Sequence, residues 1–374
     1  MIPYSRQSIS DDDIAAVTTV LRSDWLTQGP TVAAFEKALA DYCGARFAVA
    51  VPNGTAALYI AYAALGLRKG DEIITSPNTF VATSNMALAL GAKPVFCDIR
   101  KDTRNIDERK IEACITKRTK VIVPVHFAGH PCEMDAIRRV AKKHELFVVE
   151  DACHAIGAEY RGARIGGLSD LSVFSFHPVK PITTGEGGAI LTNNEECYKR
   201  MLVLRTHGIT KDPKKTESVG KWFYEMVALG FNNRITDIQC ALGISQLKRL
   251  PSFQKRREAI AAYYFKKLRS ETRIVLPVHL SQVKHSWHLF VVEVRNAAKR
   301  RAVFDHLQKS GIGVQVHYIP VHYQPYYKKL GYGRRRFPNA EAYYDGALSL
   351  PIYPDLSRKE QDFVIEKLRE ALGL

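Results

Sequence analysis

Seven short apolar runs punctuate the chain, at Arg46–Val51, Asp71–Thr75, Pro94–Ile99, Lys120–His126, Phe147–Asp151, Leu171–Phe176 and Gly188–Thr192. Each has the length of a strand and is rich in hydrophobic residues, the pattern of strands buried on both faces. Between several of them lie stretches of helical spacing, such as Glu133–Lys143, where Met134, Ile137, Val140 and Ala141 share one face. Strands alternating with helices predict an α/β fold whose mostly parallel sheet is covered by helices on both sides. A ligand is expected beyond the carboxyl ends of those strands.

After Gly230 the pattern changes. It predicts a helix over Ile235–Arg249, a charged helical stretch to Arg269, and strands at His288–Val294 and Val314–His317 flanking a helix over Ala298–Ser310. A final helix is opened by Ser357 and Glu360 in a capping box. The expected division is a large domain over residues 13–245 and a smaller α+β domain over residues 246–374, with residues 1–12 packing near the latter. The polar, basic segment Lys211–Lys221 is expected to be a mobile loop.

Composition narrows the class. The 374 residues exceed one average domain, and 46% hydrophobic with 25% charged residues is globular rather than disordered. The net charge is +16, but its basic clusters are short, scattered and not interleaved with aromatics, so small anionic ligands are expected rather than nucleic acid. Seven cysteines without a C-x-x-C pair point to a reducing, cytoplasmic setting and no structural zinc. His126 and His130 are four apart, yet the spacing falls across a strand end and a Gly-containing loop, so no metal site is expected. The uncharged stretch Phe47–Leu67 is interrupted by the turn Pro52-Asn53-Gly54-Thr55, which predicts a strand and a buried helix instead of a membrane span.

Four features bear on chemistry. At Asn53-Gly54-Thr55-Ala56-Ala57-Leu58 a strand ends and a helix begins, which suits a phosphate held by free N–H groups; an ordinary capped turn accounts for the same residues. The strand Phe147–Asp151 delivers Glu150, Asp151 and then His154 to the ligand edge, where a carboxylate either pairs with a cationic ring nitrogen or caps the next helix. Lys180 stands between Pro178 and Pro181, directly after a buried strand and before the Gly-rich run Gly185-Glu186-Gly187-Gly188. Desolvation there would make its amine nucleophilic, although a structural lysine is the plainer reading of that residue alone. Phe80, at a helix start, is either a core aromatic or a plate for a flat ring. Together they describe an anion seat, an aromatic plate, a carboxylate and an amine, the parts that pyridoxal phosphate needs.

In this order and spacing the chain resembles the sugar aminotransferases of the DegT/DnrJ/EryC1/StrS family, of fold type I. The resemblance rests on Leu26–Pro30, Asn53–Leu58, Thr79–Thr83, Glu150–Gly157, Ser175–Gly188 and Gly230–Arg234, and runs over nearly the whole chain. It implies that Lys180 holds the aldehyde of pyridoxal 5′-phosphate, Asp151 pairs with its pyridine nitrogen, His154 lies by its phenolic oxygen and Phe80 stacks on its ring. Gly54, Thr55 and Ser175 would hold the phosphate. Asn232 and Arg234 would reach the cofactor or substrate from a partner subunit, so a homodimer with shared active sites is implied. His154 departs from relatives that carry Gln there. Tyr4, Thr27, Glu186, His317, Tyr318 and His322 are the implied substrate contacts.

The segment Ser175–Gly188, with His177 three residues before the lysine, is similar to the branch acting at C4 of UDP-linked 4-keto sugars. That branch implies L-glutamate as donor and UDP-2-acetamido-2,6-dideoxy-β-L-arabino-hex-4-ulose of pseudaminic acid biosynthesis as acceptor. UDP-4-keto-arabinose, of lipid A modification, and GDP-perosamine-type sugars are the rival acceptors.

Overall fold

A computed structural model describes residues 1–373. All seven apolar runs form one sheet: β1 (Phe47–Val51), β2 (Glu72–Thr75), β3 (Lys93–Phe96), β4 (Thr119–Val123), β5 (Phe147–Asp151), β6 (Leu171–Ser175) and β7 (Gly188–Thr192). Their order is β1-β7-β6-β5-β4-β2-β3. β6, β5, β4, β2 and β3 run parallel, and β7 is antiparallel to both of its neighbours, β1 and β6.

Strand alternation sends successive side chains to opposite faces, and here both faces are apolar. Ala48, Ala50, Ile74, Ile122, Val148, Phe174 and Leu191 pack with Phe35 and Leu39 of the helix Pro30–Cys43. Val49, Val51, Ile73, Val121, Val149, Val173 and Ile190 pack with Ala57, Leu58, Ile60 and Ala61 of the helix Gly54–Ala64. Helical cover on both faces explains why the runs lack polar alternation.

The second core lies C-terminal. Strands β8 (Ile274–Val275), β9 (Phe290–Val294) and β10 (Ala347–Leu350) form a sheet in the order β8-β9-β10, backed by the helices Arg300–Lys309 and Arg358–Gly373. Val314–His317, expected as a strand, makes only an isolated bridge from Gln315 to Ser349, and the strand beside β9 is β10.

One helix of 32 residues, Asp237–Leu268, runs through the expected division at residues 245 and 246. Pro251 lies inside it without ending it. The helix is held along its length by two cores, since Leu247, Leu250 and Phe253 pack in the first while Ile260, Ala261, Tyr264 and Leu268 pack in the second. Packing on that scale offsets the hydrogen bond that proline removes. The N-terminal strand-like segment bridges Ile2 to Ile312, and Ser5 Oγ donates to the Val179 carbonyl at 3.0 Å.

Lys211–Lys221 holds a helix, Pro213–Val219, capped by Asp212 Oδ1, which accepts from the Lys214 N–H at 2.9 Å. Lys215 pairs with Glu225 at 2.8 Å.

Candidate active site

The carboxyl ends of β1, β5 and β6 open onto a cavity of about 550 Å³. Its walls include Tyr4, Gly54, Thr55, Phe80, Asp151, His154, Ser175, Lys180, Glu186, His317 and Tyr318, eleven of the residues singled out from sequence.

At one end lies the start of the Gly54–Ala64 helix. Asn53 caps it, with Oδ1 accepting from the Ala56 N–H at 2.8 Å, and the Ala57 N–H reaches the Asn53 carbonyl at 3.1 Å. The preceding N–H groups, on Gly54 and Thr55, have no acceptor of this kind, and both residues line the cavity, where the helix dipole favours an anion. A Cβ on Gly54 would come within 3.0 Å of Ser175 Cβ and 3.3 Å of Cys153 Sγ, so glycine lets this turn lie against β6. Gly188 is needed for the same approach, because a Cβ there would meet the Asn53 carbonyl carbon at 2.6 Å.

Asp151 ends β5 and is buried. Thr83 Oγ1 donates to its Oδ2 at 2.7 Å, and the Cys153 N–H lies 3.3 Å from Oδ1. Because the single Thr83 hydroxyl hydrogen goes to Asp151, Thr79 must donate across the 2.9 Å contact to Thr83. Thr79, Phe80 and Thr83 belong to one five-residue run, so the aromatic at the cavity mouth and the carboxylate's orienting group share a backbone. Phe80 is 59% exposed, which excludes the core-aromatic reading.

Lys180 follows β6, its N–H bonded to the His177 carbonyl at 2.8 Å. Burial holds its amine below the ordinary lysine range, against the opposing pull of Cys153 and Asp151. Burial, helped by the charge of Lys180 and by His317, pushes His154 well below the usual histidine range. His317 is pushed down to about 4 by burial and then by Lys180. Its Nδ1 lies 2.8 Å from Ser349 Oγ. Tyr318 reaches His154 Nε2 at 3.0 Å, and burial raises its hydroxyl above the ordinary tyrosine range.

Four expected residues lie outside the cavity. His322 is fully buried beside Phe337, 3.2 Å from Glu341 Oε1, whose other oxygen pairs with Arg336, so it is occupied away from the cavity. Thr27 is exposed and bridges Thr236. Asn232 is exposed and bridges Thr206, while Arg234 lines a separate concavity with Glu36 and Arg205. Sequence reasoning assigned no role to Thr83, Cys153 or His177, although each stands inside a quoted motif. No periodicity distinguishes a threonine aimed at a carboxylate from one at a helix start.

The chain is similar to known proteins over its whole length. The spore coat polysaccharide biosynthesis protein SpsC of Bacillus subtilis is 45% identical over 99% of this chain and 96% of its own. A UDP-4-amino-4,6-dideoxy-N-acetyl-β-L-altrosamine transaminase of Campylobacter jejuni is 41% identical over 98% of this chain and 96% of its own. Among solved structures, Helicobacter pylori PseC, an aminotransferase involved in the biosynthesis of pseudoaminic acid, superposes with a TM-score of 0.95 at 35% identity, covering 100% of this chain and 99% of that one. Residues 7–369 match the DegT/DnrJ/EryC1/StrS aminotransferase family, to which this chain belongs.

Proposed function

We propose that the chain holds pyridoxal 5′-phosphate in the Lys180 cavity and moves an amino group from L-glutamate to C4 of a UDP-linked 4-keto-6-deoxy sugar, UDP-2-acetamido-2,6-dideoxy-β-L-arabino-hex-4-ulose. The observation that carries the reading is the convergence of a helix N-terminus, an ordered carboxylate and a desolvated lysine on one cavity. The residues fit the cofactor. The free N–H groups of Gly54 and Thr55, with Ser175 beside them, suit its phosphate, and the exposed face of Phe80 suits its ring.

When bound, the cofactor supplies an electron sink that makes a proton beside an amino group removable. Asp151 serves that chemistry by presenting an oriented carboxylate to a cationic ring nitrogen, with Thr83 fixing its rotamer. Lys180 would hold the cofactor's aldehyde and, when free, would be the base that takes the proton from the donor's α-carbon. Its lowered pKa keeps more of the amine neutral at a given pH. Tyr4, Glu186 and His317 wall the outer cavity, where the sugar nucleotide would lie. One cavity serves both substrates in this reading, and ping-pong kinetics are expected.

A homodimer with shared sites belongs to this reading. Trp222, Met226 and Leu229 are 76%, 67% and 70% exposed on the segment leading to Asn232, and Thr27, Asn232 and Arg234 stand clear of their own cavity. A second copy would bury the first group and receive the other. No helix among the described residues is long and apolar enough to cross a membrane. We place the enzyme in the cytoplasm, where its seven free cysteines stay reduced.

The test is purified protein with added pyridoxal phosphate, glutamate and a panel of UDP-, dTDP- and GDP-linked 4-keto sugars. An absorption band near 400 nm, roughly that of a lysine-bound cofactor, and 2-oxoglutarate formed with the UDP sugar are expected. Absence of the band overturns the cofactor assignment. Turnover confined to another nucleotide overturns the substrate.

A further inference from the structure

His154 and Tyr318 come from different parts of the fold, the first just after β5 and the second beyond the helix Arg300–Lys309, yet they meet at 3.0 Å on the cavity wall. His154 is buried, and its Nδ1 is enclosed with no hydrogen-bond partner. Its surroundings hold it neutral: burial, the amine of Lys180 and the ring of His317 all oppose a second proton. The His288 ring lies 4.5 Å from the His154 ring, and its own enclosed Nδ1 is also without a partner.

A neutral imidazole carries one proton, and the hydrogen bond made by the other nitrogen decides where. On Nδ1 it would be a buried N–H with no acceptor, which forfeits a hydration that nothing replaces. On Nε2 it has the Tyr318 oxygen within reach, and Nδ1 then holds only an unpaired acceptor. The Nε2–H therefore donates and Tyr318 accepts. The Tyr318 hydroxyl hydrogen cannot point back at a nitrogen that is already protonated, and His154 is its sole protein partner among the described residues. Tyr318 lines the cavity, beside Phe80, whose ring centre is 6.2 Å from its own, and a group bound there is the acceptor left for the hydroxyl hydrogen.

We infer that Tyr318, oriented by the Nε2–H of His154, is the hydrogen-bond donor offered to an acceptor on the bound cofactor. His154 is then a positioning residue that acts through Tyr318. This rests on the proposed cofactor site, and it makes a segment of the small domain part of cofactor binding.

The first measurement uses cofactor-free protein labelled with ¹⁵N in its histidine rings, the His154 signals being those missing from the His154→Gln spectrum. Long-range ¹⁵N–¹H correlation is expected to show His154 neutral and protonated on Nε2; a proton on Nδ1 overturns the inference. The second titrates pyridoxal phosphate into the protein. Tyr318→Phe is expected to weaken binding about tenfold, the scale of one hydrogen bond, and to shift the pH at which the band near 400 nm titrates. His154→Leu should do the same, whereas His154→Gln, which can still donate to Tyr318, should restore most of the affinity. Unchanged affinity and titration in Tyr318→Phe overturn the inference. If wild-type protein forms no band, the cofactor site itself fails, and the tautomer measurement still decides the state of His154.

Discussion

The two halves of the cavity are built on different principles. The inner half, Gly54, Thr55, Asp151, Ser175 and Lys180, stands at or just beyond strand ends of one parallel-rich sheet, where the ladder positions each backbone. The outer half, Tyr4 and His317, comes from segments with almost no regular structure, held by single bridges and side-chain bonds. A sheet edge gives groups placed to a fraction of an ångström, which chemistry at one atom requires. Irregular segments tolerate substitution more readily, which suits a wall that selects among sugars.

The sharpest way to break this contrast is Lys180→Ala. If the inner half carries the proton transfers, turnover with glutamate should fall on the order of 10²–10⁴-fold, while the melting curve is nearly unchanged. Retained multiple turnover would move the chemistry elsewhere in the cavity. Next in size is Thr83→Val, which removes the hydroxyl from Asp151 at similar volume. A hydrogen bond to a charged group contributes about 1.5–3 kcal/mol, so the rate should drop roughly 10- to 100-fold, with Thr83→Ser recovering most of it. Equal rates in the valine and serine variants would mean that Asp151 is oriented by its backbone alone.

The smallest expected effect is on stability, and it tests the outer half through His317. Burial holds both His130 and His317 down to about 4. Between that value and the ordinary 6.5, the unfolded chain binds protons that the folded chain does not, so stability falls as pH falls through this window. Each histidine should cost on the order of 1 kcal/mol at pH 5.5 relative to pH 8. Melting temperatures measured from pH 8 to 5 should decline, and His317→Asn should decline less steeply. Parallel curves for the two proteins would show that His317 is protonated without penalty.

The inner half is legible in the sequence because its signals are local. Seven apolar runs lacking polar alternation announce a doubly covered sheet, and glycines at Gly54 and Gly188 mark where backbones touch. Pro178 and Pro181 bracket a lysine just beyond a strand end. The outer half reads less well. Val314–His317 has the composition of a strand, but β9 pairs with β8 and β10 instead, a choice made by packing rather than propensity. His322 sits in a motif with His317 and Tyr318, yet Glu341, nineteen residues on, closes over it in the core. Lys211–Lys221 has loop chemistry, but a capping aspartate and a proline at its first turn start a helix.

By itself, then, the sequence determined which segments are strands of the large sheet, where each ends, and which residues stand at those ends, because hydrophobic period and turn chemistry act over a few neighbours. Only the tertiary structure decided that Thr83 orients Asp151, that Pro251 passes through an unbroken helix, and that Tyr318 meets His154. Two of those contacts join residues 68 and 164 positions apart, a range over which many partners are chemically equivalent and only the packing of the whole chain selects one.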